Sequence, residues 1–256
     1  MKNHILAALV FAAVPAMASA ADAPPASAAP KADGPSKQAN LPRKQKAKGS
    51  VAPDVAEVVA RVQAFYEKSQ GFDTRFEQSF AHAGIPSRLG DSKATGRMRF
   101  RKPAGGTGPL MRWDYDDGRI LLLVKDRSWT YDPDTKQATE YAVDVGQLSA
   151  AVTFMWGKGR LADEFSIARS TRTLGEGVPL ELTPLQPNGG FKKVLLLVDA
   201  ATGQVSRSVV VQSNGSENDL SFRDAVVKAD VSSADFDPAK AFPAGTTRVK
   251  AAVPGR

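Results

Sequence analysis

The sequence predicts a mainly β protein with helices, of the α+β class: a single strongly curved antiparallel sheet with two helical segments set against it. Three observations carry this expectation. Short segments that alternate apolar and polar residues follow one another between Asp, Gly and Pro turns, the signature of strands in hairpins. Two stretches, and only two, repeat apolar residues at helical spacing. Strands follow strands rather than alternating with helices, which argues for meander hairpins over βαβ units.

The elements justify themselves in order. Val55, Val58, Val59, Val62, Phe65 and Tyr66 form one apolar stripe, opposite Glu57, Arg61, Gln63, Glu67 and Lys68; such a helix lies on something apolar. Asp54 three residues before Glu57 reads as a capping box, and Gly71 as the stop. In Phe72–Phe80, Phe72, Thr74, Phe76, Gln78 and Phe80 share one face. In Thr95–Arg101, Gly96, Met98 and Phe100 lie opposite Arg97, Arg99 and Arg101; the three arginines read as a wet sheet face. Strands over 110–115, 119–125, 128–131 and 137–143 follow, with turns at Asp116-Asp117-Gly118 and Asp132-Pro133-Asp134. Val145, Leu148, Val152, Met155 and Trp156 then repeat at helical spacing after Asp144. Strands resume over 165–169, 179–182, 193–199, 204–212 and 219–227, and the closing stretch around Phe236 and Phe242 reads as irregular. Ile120–Val124 and Val194–Val198 are apolar at every position. Such strands are covered on both sides, or are covered on one and line a pocket on the other; pattern alone leaves core and pocket both open.

Composition bounds the chemistry. The 256 residues hold 34 Lys+Arg against 27 Asp+Glu, two His and no Cys. There is therefore no disulfide, thiolate nucleophile, Cys-ligated metal or lipid-modified Cys. Residues 1–20 read as a signal peptide: Lys2, an apolar run over 5–14, and Ala18-Ser19-Ala20 as the cleavage site after Ala20. Residues 21–50 hold five Pro, eight Ala and six basic residues against two acidic ones, a disordered segment by composition. That segment and Lys2 account for most of the net +7 and leave +2 for 51–256, so the charge gives no nucleic-acid reading. Residues 51–256 read as one domain. His82 is the one histidine left after the leader, no Gly-x-Ser-x-Gly surrounds a serine, and no phosphate loop is present. No catalytic residue, metal or cofactor is expected.

Several ordered pieces point further. Phe72-Asp73-Thr74-Arg75-Phe76-Glu77-Gln78, Gly96-Arg97-Met98-Arg99-Phe100-Arg101-Lys102-Pro103, Leu110-Met111-Arg112-Trp113-Asp114-Tyr115, Ser128-Trp129-Thr130-Tyr131-Asp132-Pro133, Pro179-Leu180-Glu181-Leu182-Thr183-Pro184, and Asn218–Phe222 with Phe236 and Phe242-Pro243-Ala244-Gly245 occur in this sequence order. Together they resemble the periplasmic outer-membrane lipoprotein carrier proteins, the LolA family, over 54–249. The resemblance implies an unclosed half-barrel with a helical lid over an apolar cavity, located in the periplasm and carrying out no bond chemistry. It implies a cavity lined by Phe76, Met98, Met111, Trp113, Leu122 and Leu195, and a lid made of Val58, Val62, Phe65, Leu148, Val152 and Met155. Lys102 stands where the family often has the Arg that helps hold the lid shut; an Arg fork bridges several carbonyls, whereas Lys is a point donor. Implied partners are acylated lipoproteins, an inner-membrane lipoprotein-releasing ABC transporter and, where one exists, an outer-membrane lipoprotein receptor; no nucleic acid is implied, and a monomer suits a shuttle. The alternative is a periplasmic lipid- or peptide-sensing regulatory binder of the same fold.

Overall fold

A computed structural model describes residues 49–84, 92–102, 110–143, 160–186, 190–227 and 231–251. The second predicted helix, with Leu148, Val152 and Met155, lies outside these residues, as do the leader and most of the Pro/Lys-rich segment. The chain opens with helix α1 (Ala56–Lys68), followed by strands β1 (Gly71–Ala81), β2 (Ser92–Arg101), β3 (Leu110–Tyr115), β4 (Ile120–Val124), β5 (Arg127–Asp132) and β6 (Gln137–Ala142). After a short 3-10 turn at Leu161–Asp163 come β7 (Phe165–Arg169), β8 (Val178–Pro184), β9 (Phe191–Val198), β10 (Val205–Gln212) and β11 (Glu217–Val227). A second 3-10 turn, Ser233–Phe236, and β12 (Thr247–Lys250) close the chain.

All twelve strands belong to one unclosed sheet, ordered β12-β6-β5-β4-β3-β2-β1-β11-β10-β9-β8-β7. The long β1 sits at its centre, between β2 and β11. Two features differ from the sequence expectation. Beyond the stretch around Phe236 and Phe242, which holds a 3-10 turn and no strand, the chain adds an unexpected strand, β12, to the sheet edge, parallel to β6, so the sheet is not purely antiparallel. At the opposite edge the incoming chain runs beside β7, with Ile167 N donating to Ser50 O (2.8 Å) and Ala52 N donating to Ile167 O (2.9 Å).

The period of two along each strand divides the sheet into two faces. The inner face carries α1. In register across it run Phe76, Gly96 and Tyr115, then Thr74, Met98 and Trp113, then Phe72, Phe100 and Met111. The aliphatic half of the same face, with Leu180, Leu182, Val194, Leu196 and Val210, belongs to one cluster with these and with Val55, Val59, Val62 and Tyr66 of α1. On the outer face the 231–242 segment folds back over β3–β6, packing Val231, Phe236, Ala241 and Phe242 on Leu122, Tyr131 and Ala138. A separate group, Leu174, Leu195, Leu197 and Val209, covers the outer side of β9 and β10. Both wholly apolar strands are thus covered on both sides.

Candidate functional site

The inner face is built on one close approach. Gly96 faces Phe76 across the β1–β2 pair, and a Cβ at Gly96 would lie 2.2 Å from the Asp114 carbonyl oxygen and 2.7 Å from the Phe76 ring. Only glycine leaves room for the ring to lie across the strand. So placed, Phe76 meets Trp113 edge-on at 4.8 Å and Tyr115 at 5.2 Å. Phe72 stacks on Phe100 at 4.8 Å beneath Tyr66 of α1. Aromatic pairs of this geometry add about 0.5–1.5 kcal/mol each beyond the area they bury.

Four of the six expected lining residues, Phe76, Met98, Met111 and Trp113, come together on this face. The other two do not. Leu122 faces outward under Phe236 and Phe242, because Leu121 and Leu123 are the β4 residues in register with Trp113 and Met111. Leu195 likewise faces outward, against Leu174, Leu197 and Val209, while Val194 and Leu196 face in.

Helix α1 brings Val62 fully into the inner cluster and packs Val58 and Phe65 at its margin. It is held at three levels. Arg61 donates to Ala200 O at 2.5 Å, and a Cβ at Gly203 would sit 2.4 Å from the Arg61 backbone, so helix and β9–β10 turn meet main chain to main chain. Val205 N donates to the Tyr66 hydroxyl at 3.3 Å, where burial pushes the phenol far above its usual range. At the helix end, Lys102 Nζ donates to Tyr66 O (2.5 Å) and Glu67 O (2.8 Å). These carbonyls belong to the last turn and lack intrahelical partners, and the ammonium also opposes the negative end of the helix dipole. Burial lowers the Lys102 pKa, and Glu67 partly offsets it. Lys102 therefore pins α1 to the end of β2. The caps differ from the sequence expectation. Asp54 pairs with Arg169 at 3.1 Å rather than capping the helix, Val55 is the N-cap, and Ser69, whose Oγ donates to Phe65 O, ends α1 in place of Gly71.

A polar line crosses the inner face away from α1. Tyr115 OH donates to Gln78 Oε1 (3.1 Å), and Gln78 Nε2 donates to Asn218 Oδ1 (3.0 Å). Burial pushes the Tyr115 hydroxyl up to about 12, so it stays protonated. Asn218 is 1% exposed and its Nδ2 has no partner; Trp113 Nε1, Ser128 Oγ and Ser208 Oγ on the same face are likewise buried without one. The sequence carried a signal for this line: Gln78 alternates with Phe72 and Phe76, and Asn218 with Leu220, at positions the period of two sends inward.

The outer face of β2 and β3 is ionic. Arg99 bridges Asp114 (2.6 Å) and Asp235 (2.8 Å), Arg112 joins Asp114 at 2.8 Å, and Arg101 donates to Val231 O at 3.0 Å. Arg99 is thus covered by the returning chain, whereas Arg97, paired with Asp73, stays wet. Among the described residues, no three His, Asp or Glu side chains gather as a metal site, and no helix is long and apolar enough to cross a membrane.

The elements thus define an unclosed, mostly antiparallel sheet with an aromatic inner face under a helix. The family model for the outer membrane lipoprotein carrier protein LolA matches residues 67–239, and the chain belongs to that family. A search of curated proteins finds no match. Among solved structures, an uncharacterized conserved protein from Thermus thermophilus is 14% identical, with a TM-score of 0.48 over 77% of this chain and 99% of that one. A LolA superfamily protein from Nitrosomonas europaea is 11% identical, with a TM-score of 0.35 over 70% and 95%. The Pseudomonas aeruginosa MucA/MucB complex is 18% identical, with a TM-score of 0.41 over 72% of this chain and 60% of that one.

Proposed function

We propose that this protein is a periplasmic carrier of acylated lipoproteins, taking cargo from an inner-membrane releasing transporter and giving it up at the outer membrane. The family match over 67–239 carries the reading. Residues 1–20 act as the export signal. The physics of the task agrees with the inner face. Each CH₂ taken from water contributes about 0.8 kcal/mol, so a lipoprotein with long acyl chains does not cross an aqueous space unaided. A carrier must supply apolar surface and then release it, and the next receptor takes cargo only through differential affinity. The aromatic wall of Phe76, Met98, Met111 and Trp113 supplies the surface in this reading, and Val58, Val62 and Phe65 of α1 border it. Lys102 holds α1 down and acts as the latch.

The test is a release assay. The purified protein is added to spheroplasts of the source organism, and newly made lipoproteins are sought in the soluble fraction, bound to this chain. Release that depends on the protein is the expected result. Failure of the folded protein to release them, with its transporter present, removes the carrier reading and favours a sensing binder. Lys102→Leu should keep uptake and impair hand-off; unchanged delivery takes Lys102 out of the mechanism.

A further inference from the structure

The unpartnered polar atoms of the inner face share one chemistry. Asn218 Nδ2 and Trp113 Nε1 are donors only, and the Ser128 and Ser208 hydroxyls can donate; all four are buried and none reaches an acceptor. A buried donor left unmade costs about 1–3 kcal/mol, and native interiors seldom tolerate it. Among the described residues, this face lacks acceptors for them.

The orientation of Asn218 is set by its neighbours. As the side chains are placed, Tyr115 donates to Gln78 Oε1, Gln78 turns its NH₂ toward Asn218, and Asn218 meets it with its oxygen. The relay thus turns the Asn218 NH₂ outward from the chain of bonds. Ser208 stands near it: Asn218 is opposite Val210 on β10, and Ser208 is two residues along β10 on the same face. The location has a polarity. Phe72, next to Tyr66 of α1, and Phe80, opposite Asn218, are eight residues apart on β1, about 27 Å at ~3.4 Å per residue. One end of the inner face is aromatic and pinned under the helix, with Ser128 in register with Phe72 and Trp113 one row on; the other end carries Asn218 and Ser208.

We propose that Asn218 Nδ2, with Ser208 Oγ beside it, is a recognition site for acyl carbonyl oxygens, so that an acylated ligand lies with its ester or amide group at the Asn218 end and its hydrocarbon toward α1. The inference rests on the carrier reading and sharpens it: the chain distinguishes acyl from alkyl lipids, not merely long chains from short ones.

The experiment compares matched ligands on the full chain. A synthetic dipalmitoyl lipopeptide and its dihexadecyl ether counterpart, which lacks the two acyl ester carbonyls, are titrated by displacement of a fluorescent fatty acid; an ester and ether pair of phosphatidylglycerols is run alongside. The expected result is an ester preference of about tenfold, the scale of one well-made buried hydrogen bond. Asn218→Leu should bring the ester-to-ether ratio near one, and Ser208→Ala should reduce it in part. The second variant keeps the test alive if the first does not fold. Preference in the lipopeptide pair alone assigns the site to lipoproteins, and preference in both pairs assigns it to acyl esters at large. Equal binding of ester and ether by the unaltered protein overturns the site, its donors being met by water, and leaves the carrier reading standing. Binding of neither class overturns both.

Discussion

Strands β3 and β4 show two different surfaces to the two sides of the sheet. Outward, Arg112 donates to Asp235 O of the returning 231–242 segment (3.1 Å), Asp114 holds Arg99, which itself pairs with Asp235 (2.8 Å), and Leu122 packs under Phe236 and Phe242. Inward, Met111 and Trp113 join an aromatic wall on which buried donors go unmatched. The outer face is closed by the chain's own covalent continuation, while the inner face is short of acceptors. Alternate residues of one strand thus answer to different demands, outward to the returning chain and inward to the aromatic core.

Substitutions can break this contrast, and the largest effect is expected at Gly96. Gly96→Val sets a Cβ against the Asp114 carbonyl and the Phe76 ring; a loss of more than about 4 kcal/mol in chemical denaturation is expected, because neither backbone nor packed ring can yield cheaply. Leu122→Ala comes next. It should cost about 2–5 kcal/mol and leave acyl-ligand affinity unchanged; reduced affinity without global unfolding would show that the outer face takes part in binding.

Asp114 gives a pH test of the outer clamp. Burial alone would raise its pKa, but hydrogen bonds and charges from Arg112 and Arg99 more than offset this and hold the carboxyl below its ordinary 3.8. A carboxylate depressed in the folded state stabilises above its unfolded pKa and loses that contribution as pH falls through the folded value. The Tm gap between the unaltered protein and Asp114→Asn should therefore be constant near neutrality and narrow below about pH 4. A gap independent of pH would mean that the clamp acts through packing. The smallest effect is expected of Lys102→Leu, at about 1 kcal/mol or less, with faster amide exchange confined to the last turn of α1.

The sequence made the local periodicities plain and the long-range choices obscure. The α1 stripe and the inward set Phe72, Thr74, Phe76 and Gln78 follow from spacing alone, and both are found. Leu122 and Leu195 were misplaced because Leu-Leu-Leu carries no alternation; their side is fixed only by pairing with β3 and β10. Asp54 has the chemistry of a cap, but Arg169, 115 residues away, takes it. Strand β12 is four largely polar residues whose partner, β6, lies more than 100 residues earlier, so nothing near it announces a strand. The donor line was half visible, since Gln78 was placed inward, but its excess of N–H over acceptors emerges only when Tyr115, Gln78 and Asn218 meet in space.

The two sheet borders bear on how the molecule keeps company with its own kind. An unclosed sheet ordinarily offers two rows of free backbone groups to any passing strand, a route to strand exchange and fibres. Here one row meets Ser50–Ala52 and the other meets β12, itself short and bearing Arg248 and Lys250. A sheet with so apolar an inner face is thereby spared the polymerisation that bare strand edges would invite.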